Sequence, residues 1–232
     1  MDHKQIGFSL IEVAIAMVIM GLLVGSGILL GKSLIGSGHS QEIVALATDL
    51  NLAVKNFKER YHYFPGDLPD AKNDITGIDL NCHYNNTNSA TVQIGNGEID
   101  TSFLTITLID SDHNRVIYHG SEATCVPNHL YKAGLIQRIP DKDGDIVSRF
   151  GKVRIMATAQ SLFKDVALDG HPDHIIQLEN LPVEIARDVD RYLDNGDITT
   201  GRMQGINATA PLAIDPDPNN QPETVRFYAV PL

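Results

Sequence analysis

The sequence predicts an α+β protein. A long N-terminal helix, apolar in its first half and amphipathic in its second, packs on a head with a mostly antiparallel sheet. Three observations carry this. The stretch from Phe8 to Gly31 is apolar apart from Glu12. The next stretch, up to Tyr63, keeps its apolar residues at a helical period. Beyond Pro65, short β-branched runs alternate with turn residues.

Residues 1–7 are short and polar, with one lysine, Lys4. The apolar run at 8–31 is long enough to cross a bilayer core of about 30 Å. No small-residue cleavage site follows it, so it reads as a retained anchor rather than a discarded secretory leader. Lys4 on one flank predicts the N-terminus inside and the head outside. Inside lipid a carboxylate such as Glu12 is costly, about 2.5 kcal/mol or more at a helix centre, and such residues are usually functional. Gly21, Gly25, Gly27 and Gly31 give two small-xxx-small spacings, which fit either close helix packing or a helix that melts easily.

Ser33 to Ser40 reads as a Gly/Ser-rich joint. Residues 32–64 then form the amphipathic part. Ile43, Leu46, Ala47, Leu50, Ala53, Val54, Phe57 and Tyr61 share one face, and Pro65-Gly66 is expected to stop the helix.

The head, 65–232, opens with loop-like sequence as far as Gly97. Strands are expected at Thr91–Ile94, Phe103–Ile109 and Arg115–His119, the last two forming a hairpin across Asp110–Asn114. A short helix is expected at Asn128–Ile136, ending at Gly134. Strands follow at Val153–Ala157 and His174–Leu178. Leu181–Asp194 reads as an amphipathic helix with Pro182 in its first turn and Gly196 past its end. Val225–Val230 closes the head.

The 232 residues carry a formal net charge of −11 and no basic run, which argues against a nucleic-acid-binding surface. If the head is exported, Cys82 and Cys125 are expected to form a disulfide, stabilising by roughly 4 kcal/mol in the chain-entropy model. Two buried thiols are the alternative.

Gly7-Phe8-Ser9-Leu10-Ile11-Glu12-Val13 resembles the cleavage and methylation motif of type IV pilins and of the pseudopilins of type II secretion systems. Such a resemblance implies a pilin-like fold and a structural subunit rather than an enzyme. It implies that 1–7 is a leader, that an inner-membrane prepilin peptidase cuts between Gly7 and Phe8, and that the Phe8 amine is methylated. Other pilin or pseudopilin subunits and an assembly platform would be its partners. Its location would be the bacterial inner membrane with a periplasmic head, then the filament. Glu12 would pair with the Phe8 ammonium of a neighbouring subunit. Tyr63-Phe64-Pro65-Gly66-Asp67, the segment from His129 to Ile136, and Asp190 to Asp197 with Thr200-Gly201 resemble pieces of other pilin-like heads. Unlike many pilins, this chain has no proline midway along the N-terminal helix. A membrane-anchored periplasmic binding or enzymatic domain that keeps its helix uncut is the alternative reading.

No cofactor is required for such a role. Asp141, Asp143 and Asp145 alternate as Ca²⁺ ligands do, but Ile146 and Lys152 stand where an EF-hand needs glycine and glutamate, so a solvated acidic turn is the simpler reading. Asp190, Asp194 and Asp197 form a second acidic turn. His171 and His174 lack a third metal ligand in view. Ser161-x-x-Lys164 matches one element of a serine acyl-enzyme pattern without its companions.

Overall fold

The computed structural model describes residues 10–79, 82, 94–101, 104–109, 115–137, 145–163, 166, 168–170, 172–207, 210–211 and 224–232. The chain divides into two compact units between His39 and Ser40, inside the first helix.

Helix α1 covers Leu10–Tyr61. It runs through Ser33–Ser40, where a joint was expected. Glycine weakens a helix by about 1 kcal/mol relative to alanine but does not break it as proline does. Toward its C-terminal end, Ile43, Leu46, Ala47, Leu50, Ala53, Val54 and Phe57 are all buried, as their period predicts. The helix stops at Tyr61, before Pro65: His62 turns into the left-handed region at φ 64°. Phe64, preceding proline, is itself disfavoured in α conformation.

A short helix, α2 (Ala71–Asp74), follows. Strands β1 (Leu104–Ile109) and β2 (Arg115–Gly120) form the expected antiparallel hairpin. Helix α3 is Glu122–Lys132, starting six residues before the expected Asn128 and ending four before Ile136. Its start is set by a reciprocal cap: Ser121 Oγ accepts from Thr124 N–H, and Thr124 Oγ1 accepts from Ser121 N–H.

The main sheet contains β3 (Ile146–Val147), β4 (Lys152–Ala157), β5 (His174–Pro182), β6 (Gln204–Asn207), β7 (Ala210–Pro211) and β8 (Thr224–Pro231). Its order is β3-β4-β5-β8-β6-β7, antiparallel throughout. Ile155 faces Ile176, and Ile176 faces Val230, so three strands place branched side chains side by side. Strand β8 pairs with both β5 and β6, joining the two halves of the sheet. Helix α4 (Val183–Leu193) begins after Pro182, which belongs to β5 and not to the helix. Ile94, expected in a strand, lies in a turn; Thr91 is outside the described residues.

One core joins the buried face of α1 to Val126 and Leu130 of α3, Val189 of α4 and the inward residues of β4, β5 and β8. Phe57 is completely buried there, its ring centroid 4.5 Å from Tyr61 and 6.0 Å from His129. Phe57→Ala should lower head stability by about 3–5 kcal/mol. Urea unfolding of the full chain in detergent micelles, followed by circular dichroism, measures this; a negligible shift of the midpoint would contradict the packing.

Candidate functional site

The N-terminal segment comes first. From Leu10 to Ile28 the helix is apolar, with mean hydropathy 2.2, and is long enough to cross a membrane. Every side chain in this span is exposed. Leu10, Met17, Met20, Leu22 and Leu23 each leave two thirds or more of their surface uncovered. Apolar surface of that extent has to be covered by lipid or by protein. Glu12 lies in the first turn of α1. A carboxylate there suits the positive end of the helix dipole. Gly7 and Phe8 lie outside the described residues. At Gly21, Gly25 and Gly27 an added Cβ would meet nothing within 4 Å, so packing inside the chain does not require these glycines.

In the head, the polar chemistry gathers on one face of α3. Positions 122, 125 and 129 of that helix each fasten the long connection after α1. Gly66 N–H donates to His129 Nδ1 at 3.0 Å. That contact requires Nδ1 to be unprotonated, and burial pushes the His129 pKa down to about 3, which keeps the ring neutral. Gly66 has φ 95°, and a Cβ there would collide with the Glu122 carbonyl, so only glycine fits. Cys125 is disulfide-bonded to Cys82, with Cα atoms 5.6 Å apart. Asn128 adds a fourth tie: its Oδ1 accepts from Asp79 N–H, and its amide donates to the Asp79 carboxylate. Glu122 Oε2 accepts from Asp100 N–H at 2.9 Å, while Oε1 is buried with no hydrogen-bond partner among the described residues.

Asp67, next in sequence to Gly66, is fully buried and holds a turn of its own. Its carboxylate accepts from the N–H groups of Gly95, Asn96 (3.2 Å) and Gly97 (2.8 Å). Successive N–H groups converging on one anion form a nest. Burial pushes the Asp67 pKa up to about 6 against the pull of these donors. Burial pushes Glu122 up to about 8; the Asp100 N–H opposes this, and the charges of Asp67, Asp100 and Glu98 add to it.

Alongside lies a cleft of ≈ 640 Å³, lined among others by Lys58, Phe64, Glu98, Asp173 and His174. The His174 ring lies tilted against Phe64, with centroids 4.2 Å apart and planes 35° from parallel, and Lys58 Nζ sits 3.9 Å from the Phe64 centroid. Burial lowers the His174 pKa to about 4.

The second acidic turn is likewise structural. Asp190 accepts from Tyr228 Oη at 2.7 Å and from Gly196 N–H at 2.6 Å. Asp194 accepts from the N–H groups of Arg202 and Met203, and Asp197 caps Thr199. Asp145 pairs with Lys152 and Arg154, which hold its pKa below the usual carboxylate value against the effect of burial. Asp141 and Asp143 lie outside the described residues, as do His171 and Lys164. Among the described residues no cluster of three His, Cys, Asp or Glu could hold a metal ion. Ser161 Oγ donates to Thr158 O and accepts from Phe163 N–H, so its hydroxyl is committed to its own turn. Reading the sequence alone missed the partnership of Asp67, Glu122 and His129. The one available signal was Pro-Gly-Asp at the end of a helix, which marks a turn but not what the turn binds.

The family described as the prokaryotic N-terminal methylation motif matches residues 2–28. The chain carries the type IV pilin and pseudopilin signature. No curated protein and no solved structure matches the chain. The signature covers the apolar half of α1, and the α+β head behind it is consistent with a pilin-like fold. A pilin-type precursor anchored in a membrane by Leu10–Ile28 fits both findings.

The buried acids set a pH dependence. The unfolded chain releases the Glu122 proton above about 4.5, but the folded chain keeps it to about 8. In that window the folded state binds more protons, so this group makes stability fall as pH rises. His129 and His174, depressed from 6.5, act oppositely, but only below 6.5. Between 6.5 and 8 Glu122 therefore contributes a downward slope that these histidines do not oppose. Glu122→Gln should flatten the fall in unfolding midpoint across that range; a slope equal to wild type would remove Glu122 as its source.

Proposed function

We propose that the chain is a structural subunit of a type IV pilus or a type II secretion pseudopilus, and a minor or specialised subunit rather than the bulk one. The observation that carries this is Gly7-Phe8-Ser9-Leu10-Ile11-Glu12 leading into, and in its last three residues belonging to, an exposed apolar helix. In this reading a prepilin peptidase in the inner membrane cuts between Gly7 and Phe8 and methylates the new amine. The head stays on the periplasmic side until an assembly platform lifts the subunit into the filament. There the apolar half of α1 exchanges lipid for the helices of other subunits.

Glu12 then meets the Phe8 ammonium of a neighbour. Each charge is expensive in a dry core alone and much less so when paired. A slipped register leaves both unpaired, so the pair also fixes the axial stagger. The glycines fit the same role. Gly21, Gly25 and Gly27 are not needed by packing within the chain, and between chains they would let helices approach closely. The large head, with its own disulfide and cleft, exceeds what a minimal repeating subunit needs and supports the specialised role. That role needs no cofactor, and the partners are other subunits, the peptidase and the platform.

Mass spectrometry of the protein from cells with an active prepilin peptidase should find N-methyl-Phe8 at its N-terminus. An intact Met1 would favour an uncut membrane anchor instead. Glu12→Gln should insert and be processed normally, yet enter filaments at least about a hundredfold less, since removing one partner of a buried ion pair costs about 3–5 kcal/mol. Quantitative blotting of sheared filaments reads this, and unchanged incorporation would take Glu12 out of the mechanism.

A further inference from the structure

Two Asn-Gly pairs sit in turns of the head, and they are built alike. In each, the exposed asparagine folds its side chain back so that Oδ1 accepts from the N–H two residues on. Asn96 accepts from Glu98 at 2.7 Å, and Asn195 accepts from Asp197 at 2.7 Å. In each, the glycine N–H donates to an aspartate with no exposed surface. Gly97 donates to Asp67 Oδ2 at 2.8 Å, and Gly196 donates to Asp190 Oδ1 at 2.6 Å. Backbone angles match too, with φ 89° at Gly97 and 86° at Gly196. The two turns are far apart in sequence and are held by different aspartates.

Asn-Gly is the dipeptide most prone to self-modification, because glycine has no Cβ to obstruct its own nitrogen. The glycine nitrogen attacks the asparagine Cγ. An N–Cγ bond forms, the Cγ–Nδ2 bond breaks, and ammonia leaves carrying the proton lost from the glycine nitrogen. Water then opens the resulting succinimide at one carbonyl or the other, giving aspartate or isoaspartate. Either product adds a negative charge, and isoaspartate also lengthens the backbone by one carbon. The reaction needs local opening here. The glycine N–H must leave the buried carboxylate, and the asparagine side chain must release the N–H it accepts and, at Asn195, also the Thr200 Oγ1 to which its amide donates at 3.1 Å.

We propose that Asn96 and Asn195 are latent deamidation sites, each held closed by a buried aspartate that binds the N–H of the attacking nitrogen. Local opening of each turn, rather than exposure of the asparagine, sets the rate of damage. Each site is therefore governed by its own aspartate. Losing a hydrogen bond to a charged group, with nothing gained in return, slows the reaction by roughly tenfold or more relative to the open chain.

The test uses the full chain in detergent micelles, incubated in mildly alkaline buffer with and without denaturant. Peptide mass mapping with isoaspartate detection follows each site. The expected result is that both asparagines deamidate roughly tenfold or more slowly in the native chain. Asp67→Asn should release Asn96 alone, with Asn195 still slow and so reporting an intact fold; Asp190→Asn should do the reverse. Equal native and denatured rates at both sites would overturn the proposal. So would an Asp67→Asn chain in which Asn96 stays as slow as in wild type. If Asp67→Asn unfolds the head and both sites run fast, hydrogen exchange on the wild-type chain decides. The Gly97 and Gly196 amides must be protected, and exchange at the unfolded rate at either would overturn the assignment.

Discussion

A carboxylate shut away from water has to find donors or give up its charge, and Asp67 is where this head meets that requirement. Three consecutive backbone N–H groups turn toward it, which fixes the path of Gly95–Gly97. Its neighbour Gly66 is pinned at the same moment to His129 and pressed on the Glu122 carbonyl. The end of α1 is thereby tied to α3 and to a turn some thirty residues further on. Once Pro65–Asp67 is placed, the disulfide and the Asn128–Asp79 pair hold the intervening chain against the same helix. One helix face thus offers the described parts of this connection four separate attachments.

The second polar centre solves the same problem differently. Asp190 sits near the C-terminal end of α4, where the helix dipole disfavours an anion, and burial raises its pKa. Tyr228 from β8 and the Gly196 N–H share the carboxylate. So the turn after α4 is anchored to a strand in the middle of the sheet. Both centres place acids inside the protein as structural fasteners. The acidic turn from Asp190 to Asp197 is held in this way, with its carboxylates accepting from backbone N–H groups.

The parts of the fold legible in the sequence are those in which one residue's environment follows from its immediate neighbours. The buried stripe from Ile43 to Phe57 is a period, and a period is visible. The β1–β2 hairpin and the strands at 153 and 225 are runs of branched residues between turns. What stayed hidden depends on distant partners or on subtle caps. Helix α3 starts at a Ser121–Thr124 cap rather than the more familiar serine–glutamate pair, and its polar residues look solvent-facing because their partners are remote in sequence. Pro182 reads as a helix opener but ends a strand. Ser33–Ser40 reads as a joint between the two halves of the long helix, and its glycines weaken that helix without interrupting it. At the N-terminal segment the situation is reversed. The short motif around Gly7 and Phe8 is read entirely from sequence.

Strand β8 carries one more consequence. It lies between β5 and β6, so the sheet is two separate pieces until β8 arrives. A ribosome releases β3, β4 and β5, then β6 and β7, and only later the strand that joins them. During synthesis the β5 edge, with Ile175, Ile176 and Leu178, waits open for a partner. An open apolar strand edge invites the wrong one. Synthesis from the N-terminal end therefore leaves this head vulnerable until β8 has emerged, and makes β8 the step at which two sheet fragments become one.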